Sequence, residues 1–444
     1  MDINSTEGTI FKKAVLAANS LSLYRRLLYK EPFKMLTELC LYISNNNFDI
    51  IKAVNLYSSL FYLLSENNHD TVSLKAYILD ELLYDENAFT KECEKKKFED
   101  IDGSILKAAL NDLSSLHTIA LISSKEIKER LNLFVKTDYE KVSVDNLPSY
   151  APSSNLNNSK DPANAIKSVL NISKEWWECI KDLHGFYSIN GIGIFAKYKA
   201  FVWEHVDGKG LLRGVETPDS ISMDDLIGYT IQRDDVRNNT IKFLKGFPAN
   251  NMLLYGDRGT GKSSTVKAVL NEFASQGLRL VEVPKSYLSD FTDVTRILAS
   301  RPHKFIVFVD DLVLEDNEEN YTALKAALEG GVEARPSNVV VYATSNRRHL
   351  IREKFSDRMD SDEVRASDTM QEKLSLSDRF GMTVIFSSPG KKDYLELVEG
   401  IVKKRGLSFD SEYLHAEALK WELYYNGRSP RTARQFVDWL EGQT

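Results

Sequence analysis

Eight residues constrain this chain more than any others. Positions 256–263 read Gly-Asp-Arg-Gly-Thr-Gly-Lys-Ser, a full G-x-x-x-x-G-K-S loop. The apolar run Met252, Leu253, Leu254, Tyr255 precedes it, and Val266, Val269, Leu270 and Phe273 follow at helical spacing, with Gly277 as a stop. Strand, glycine loop and helix in that order form a cradle for phosphate. Gly256, Gly259 and Gly261 permit backbone angles that side chains forbid, so several N–H groups can face one anion. The helix N-terminus adds partial positive charge. Lys262 would meet the β- and γ-phosphates of a nucleotide, and the Ser263 hydroxyl would meet its Mg²⁺. The expected nucleotide-binding set is Gly256, Asp257, Arg258, Gly259, Thr260, Gly261, Lys262, Ser263 and Ser264. A guanine-reading [NT]-K-x-D segment is absent downstream, so ATP is expected rather than GTP.

A second site belongs with the first. The run Phe305, Ile306, Val307, Phe308, Val309 ends in Asp310 and Asp311. A continuous apolar, β-branched run reads as a buried parallel strand, and ligands in such sheets gather at the carboxyl ends of the strands. Asp310 is expected to hold Mg²⁺ through water, and Asp311 to orient or deprotonate the attacking water. From about 222 to 388, strand-like and helix-like segments alternate, which indicates a parallel sheet with crossover helices.

With these motifs in place the chain resembles the AAA+ ATPases over about residues 222–444. Within that range it resembles a bacterial group of predicted ATPases catalogued as a domain of unknown function, family 815. The resemblance implies further roles. Asn346, at the tip of the apolar run 338–345, looks like the sensor 1 residue. Leu-Ser-Asp-Arg-Phe-Gly at 376–381 looks like the segment bearing an arginine finger, Arg379. Gly-Arg-Ser-Pro-Arg-Thr-Ala-Arg at 427–434 looks like a sensor 2 helix, with Arg431 as the phosphate contact. Asp-Leu-Ile-Gly-Tyr at 225–229 looks like the adenine-packing segment, so Ile227 and Gly228 join the nucleotide set. Arg335, Arg347 and Arg348 are secondary candidates for an intersubunit contact. The implied fold class is α/β: a three-layer αβα parallel sheet with a C-terminal helical lid, preceded by an all-α N-terminal region. The implied assembly is a homo-oligomer, a ring or spiral.

Two departures qualify the resemblance. Asp311 stands where most of these enzymes carry Glu; being one methylene shorter, it suggests slow turnover. The span between an expected second strand at 279–283 and Phe305 is short. Tyr287 and Phe291 are therefore read as packing residues and not as a threading loop. The acidic stretches 315–320 and 356–375 read as solvated segments.

Elsewhere the pattern is helical. Leu36, Leu39, Cys40 and Ile43, and again Leu106, Ala109, Leu110 and Leu113, fall on single helix faces. The expected domains are 1–140 helical, 141–165 linker, 166–221 a helix plus a small β-hairpin, 222–390 nucleotide-binding and 391–444 lid. Short pieces at 192–195, 200–203 and 211–213 read as strands. A net charge of −7 provides no basic field, so direct nucleic-acid binding is not expected. The three scattered cysteines, the unremarkable N-terminus and the absence of a long apolar run point to a cytoplasmic protein without membrane spans. The expected function is ATP hydrolysis coupled to assembly and to remodelling or loading of an unknown client recruited by the N-terminal helices. The alternative is a slow nucleotide-dependent binding switch.

Overall fold

A computed structural model describes residues 3–66, 71–152, 161–312, 336–346, 379–425 and 427–443, with 324, 325 and 328. Arg335, Arg347, Arg348 and both acidic stretches lie outside the described residues. The chain divides into two compact units, Met1–Lys197 and Tyr198–Thr444.

The first unit is helical. Its helices are α1 (Ile3–Ser20), α2 (Glu31–Ile43), α3 (Ile50–Ser65), α4 (Leu74–Leu83), α5 (Ala88–Cys93), α6 (Gly103–Ala120), α7 (Ser124–Asn132), α8 (Asp138–Asp145), α9 (Pro162–Ile172), α10 (Ile180–Asn190) and α11 (Ile194–Lys197). Local chemistry starts most of them. Asp49, Ser73, Asp102 and Asp161 side chains accept N-terminal amides of α3, α4, α6 and α9. Ser123 with Glu126, and Thr137 with Glu140, form reciprocal capping boxes on α7 and α8. The apolar stripes meet in one core that includes Leu36, Leu39, Cys40, Ile43, Ala109 and Leu113. Each leucine or isoleucine among them, fully buried, contributes roughly 1.5–3 kcal/mol.

The expected linker at 141–165 needs correction. Val144, Leu147 and Tyr150 are buried in this core. The Tyr57 hydroxyl donates to Pro148 O (2.6 Å) and the Ala151 N–H to Val72 O (2.8 Å). Pro and Ser composition marked an irregular segment, but a packed one; residues 153–160 are outside the description. The helix expected from 166 also belongs here. It breaks into α9 and α10 around Trp176, whose Nε1–H donates to Leu170 O (2.9 Å). The strand expected at 192–195 is instead the short helix α11.

The second unit is built on a seven-stranded sheet: β1 (Ala200–Val206), β2 (Lys209–Gly214), β3 (Met252–Gly256), β4 (Leu278–Glu282), β5 (Lys304–Val309), β6 (Val339–Ser345) and β7 (Met382–Phe386). Its order is β2-β1-β4-β5-β6-β3-β7. All pairs are parallel except the β1–β2 hairpin. That hairpin turns through Asp207 (φ 50°) and Gly208 (φ 73°), the two positive angles of a tight two-residue turn. The hairpin is thus no separate element. β1 pairs with β4, Ala200 beside Leu280, and extends the sheet, so the boundary falls at 197/198 and not at 221/222.

Helices α12 (Thr230–Leu244) and α13 (Lys262–Phe273) cover one face, and α14 (Phe291–Ala299) packs against β6. Val236, Phe243, Val266, Val269 and Phe273 interdigitate with Met252, Leu254, Ile306, Phe308 and Tyr342. Phe291 is fully buried and Tyr287 stacks on His205 (4.5 Å between centroids), which makes both packing residues. Three helices, α15 (Lys391–Lys404), α16 (Ser411–Tyr424) and α17 (Pro430–Glu441), form a lid with its own core of Tyr394, Leu397, Val398, Leu414, Phe436 and Val437. This is the α/β core with a C-terminal helical lid that the resemblance implied. Cys40, Cys93 and Cys179 are buried free thiols. Among the described residues no helix is long and apolar enough to cross a membrane.

Candidate active site

Strand order decides which side chains can meet. β6 lies between β3, which leads into the glycine loop, and β5, which ends at Asp310. The carboxyl ends of these three parallel strands therefore deliver the glycine loop, the Asp310–Asp311 pair and Asn346 to one edge of the sheet.

At that edge α13 starts from Gly261, whose φ of 94° is left-handed. The buried Lys262 ammonium donates to Gly256 O (2.8 Å), Asp257 O (2.7 Å) and Asn346 Oδ1 (3.0 Å). Burial pulls its pKa down, and the nearby charge of Arg431 adds to this, while Asp257, Asp311 and Asp310 oppose it. The Ser263 hydroxyl donates to Asp310 Oδ1 (2.6 Å), and so does that of Thr344 (2.5 Å). Thr344, at the end of β6, also accepts the Asp311 N–H (2.8 Å). Asp311 has φ 50°, uncommon for a non-glycine residue. Its Oδ1 accepts Asn346 Nδ2 (2.5 Å) and its Oδ2 pairs with Lys285 (3.3 Å).

Most of these side chains border a cavity of about 450 Å³, which Lys285 does not line. Arg258 through Ser264, Asp310, Asp311, Asn346 and Arg431 line it, as do Ile227 and Gly228. Gly256, Asp257 and Arg379 are not part of the lining. At the far end Tyr229, Phe386, Leu397 and Ile401 make an apolar wall, suited to a planar base. Tyr229 takes a left-handed φ of 53°, and its hydroxyl donates to Ser387 O (2.6 Å). Arg233 braces this loop by donating to the carbonyls of Leu226, Gly228 and Tyr229.

The lid closes over the loop. The Arg431 N–H donates to Gly259 O (3.2 Å), and a Cβ on Gly259 would lie 3.1 Å from that of Arg431. Arg434, one turn on, also lines the cavity. Arg379 precedes β7 at its amino end. β7 runs parallel to β3, so Arg379, three residues before it, lies toward the strands' amino ends and not at the carboxyl ends that carry the glycine loop.

Oxygen donors from Ser263 and Asp310 suit a hard divalent cation such as Mg²⁺, so the donor set fits the metal. No sequence motif marks Lys285, Thr344 or Arg233 as a site residue, and Arg434 enters only as a neighbour of Arg431. Arg434 lay within the quoted sensor 2 segment and could have been found by its helical spacing from Arg431. The others carry no local signal.

A family model described as "Protein of unknown function (DUF815)" matches residues 196–444. Among solved structures, two single-site variants of Thermotoga maritima RuvB each share 15% identity with TM-scores of 0.34. Their matches cover 48% of this chain and 61% and 62% of theirs. The T. maritima RuvB Holliday junction branch migration motor shares 14% identity over 49% of this chain and 71% of its own, with a TM-score of 0.32. The chain thus spans about three-fifths of the first of these structures. No curated protein matches it.

Proposed function

The chain belongs to the DUF815 family of proteins of unknown function, and from its site chemistry we propose that it is a Mg·ATP-hydrolysing AAA+ ATPase. One observation carries the reading. A buried ammonium, a hydroxyl–carboxylate pair, a second carboxylate and the Asn346 amide, drawn from three strand ends, converge on one cavity beside a glycine loop.

Lys262 exchanges its main-chain carbonyls for the β- and γ-phosphates, and the loop amides take the remaining phosphate oxygens. Ser263 and Asp310 hold Mg²⁺, which neutralises charge developing on the phosphates when bound. Asp311 accepts a proton from the attacking water, with Asn346 fixing the orientation of its carboxylate. Arg431, joined by Arg434, faces the γ-phosphate from the lid, and the base lies against Ile227, Gly228, Tyr229 and Leu397. Arg379, absent from the lining of its own cavity, serves the site of a neighbouring copy in a ring or spiral. The N-terminal helices recruit a protein client in the cytoplasm, and the net charge of −7 works against direct nucleic-acid binding.

A second reading is a slow nucleotide switch. Asp311 favours it, because both its oxygens are engaged, by Asn346 and Lys285. Steady-state phosphate release discriminates. The ATPase reading expects specific activity that rises with protein concentration and collapses in Arg379→Ala. Tight Mg·ATP binding with turnover unaffected by concentration or by Arg379→Ala would favour the switch.

A further inference from the structure

The Asp257 carboxylate has no role in the chemistry above. It is also out of place electrostatically. A negative side chain within a loop that receives phosphates repels them, since two like charges ~4 Å apart oppose each other by about 1 kcal/mol even in bulk water. Its partners show what it does. Asp257 is absent from the cavity lining, and its Oδ2 accepts both the N–H (2.8 Å) and the hydroxyl (2.7 Å) of Ser388. These bonds hold its carboxyl below the usual range, so the group stays ionised.

Ser388 occupies a particular place in the chain. β7 ends at Phe386 and α15 begins at Lys391. Ser387, Ser388, Pro389 and Gly390 are therefore the whole connection from sheet to lid at this point. Both serines are held from the nucleotide cavity. The Tyr229 hydroxyl, from the base-facing loop, donates to Ser387 O (2.6 Å). Asp257, from the glycine loop, takes the two donors of Ser388. The main chain of Asp257 is equally engaged, its N–H donating to Phe386 O (3.1 Å) and its carbonyl accepting from Lys262 (2.7 Å). One residue thus touches the phosphate-seeking lysine with its backbone and the lid connection with its side chain.

We propose that Asp257 is a positioning residue that clasps the hinge of the lid to the glycine loop and so sets Arg431 over the phosphates. The inference rests on the ATPase reading for the identity of the ligand. Any shift of the loop as Lys262 leaves the Asp257 carbonyl is passed through the carboxylate to Ser388 and to the lid. The lid meets the loop again at Arg431 N–H to Gly259 O (3.2 Å). Hinge and arginine are therefore referenced to the same five residues of loop.

The test is a double-mutant cycle in the full chain, with Mg·ATP affinity read by calorimetry and turnover by phosphate release. Asp257→Ala is expected to leave Kd within about threefold and to lower kcat on the order of tenfold, as misplacement of a catalytic group does. Ser388→Ala, which keeps the N–H donor, is expected to give a smaller loss in the same direction. The combination Asp257→Ala with Arg431→Ala is expected to turn over no more slowly than Arg431→Ala alone, because the aspartate acts through the arginine. Multiplying losses in the double variant, or an unchanged kcat in Asp257→Ala, would overturn the proposal. A fall in affinity as large as that in turnover would also overturn it, by making Asp257 a general support of the loop. If the wild-type chain takes up no Mg·ATP, the ATPase reading fails instead, and calorimetry on the wild type separates the two failures.

Discussion

Gly256→Ala tests whether the glycine loop is set against the last strand as closely as the structure requires. Gly256 has φ 143°, far from the left-handed helical basin that an alanine can enter at moderate cost. A Cβ there would stand 1.9 Å from Phe386 O and 2.5 Å from Phe386 C. Those are backbone atoms of the paired strand, because Gly256 and Phe386 are register partners. Backbone strain costs about 1–3 kcal/mol. Moving the Phe386 carbonyl breaks the Asp257 N–H bond to it, roughly a further 1 kcal/mol. The total is about 3 kcal/mol, a little over a hundredfold in a local opening equilibrium. Gly277→Ala is the control. Its φ is also positive, 87°, but nothing lies within 4 Å of a Cβ, so only the left-handed cost of about 1 kcal/mol remains. Amide hydrogen exchange of peptides covering β3 and β7 reads both. Gly256→Ala is expected to accelerate exchange there by about a hundredfold, and Gly277→Ala to leave those peptides unchanged. Equal effects of the two variants, or protected β7 amides in Gly256→Ala, would refute the close approach.

Other side chains make separate demands. Arg233→Met, which unties the base-facing loop from a guanidinium that bonds three of its carbonyls, is expected to weaken ATP binding about tenfold. It should leave inorganic tripolyphosphate binding unchanged, since the phosphate half of the cavity is untouched; one lost charged bond of ~1.5 kcal/mol sets the scale. Lys285→Ala frees Asp311 Oδ2 from a half-exposed ion pair worth less than about 1 kcal/mol. It is therefore expected to raise kcat by no more than about fivefold, and a fall in kcat would show that Lys285 assists the reaction. Arg379→Ala is expected to leave the affinity of an isolated subunit unchanged, because the residue precedes the amino end of β7 and does not line the cavity. Calorimetry at low protein concentration checks this, and a weakened affinity would place the residue in its own site.

The parts of this architecture that were legible in the sequence are those with local physics. The glycine loop, the apolar run into Asp310 and the stripes of α2 and α6 declare themselves within a few residues. The unit boundary did not, because the β1–β2 hairpin joins the sheet only through β4, some eighty residues later. The 141–152 segment looked like a linker for a related reason. Proline and serine mark irregular backbone, whereas the burial of Val144 and Tyr150 depends on distant partners. The piece at 192–195 is apolar and short, and such runs do not distinguish strand from helical turn. In the site, the meeting of Lys262, Ser263 and Asp310 could be expected from motif order, but that of Lys285 and Thr344 could not. Their contacts with Asp311 and Asp310 join residues 26 and 34 positions apart. The Asp257–Ser388 clasp joins residues 131 apart.

Isothermal calorimetry of Mg·ATP with the wild-type chain and with Lys262→Ala bears most directly on the whole account. On binding, Lys262 trades two carbonyl acceptors for ionised phosphate oxygens, and charged acceptors are roughly twice as strong. With about 1.5 kcal/mol for each bond to a carbonyl, the exchange gains about 3 kcal/mol, close to 150-fold in Kd. The predicted result is saturable binding of one nucleotide per wild-type chain, weakened by about that factor in Lys262→Ala. No heat from the wild type, or equal affinity in the two proteins, would contradict it.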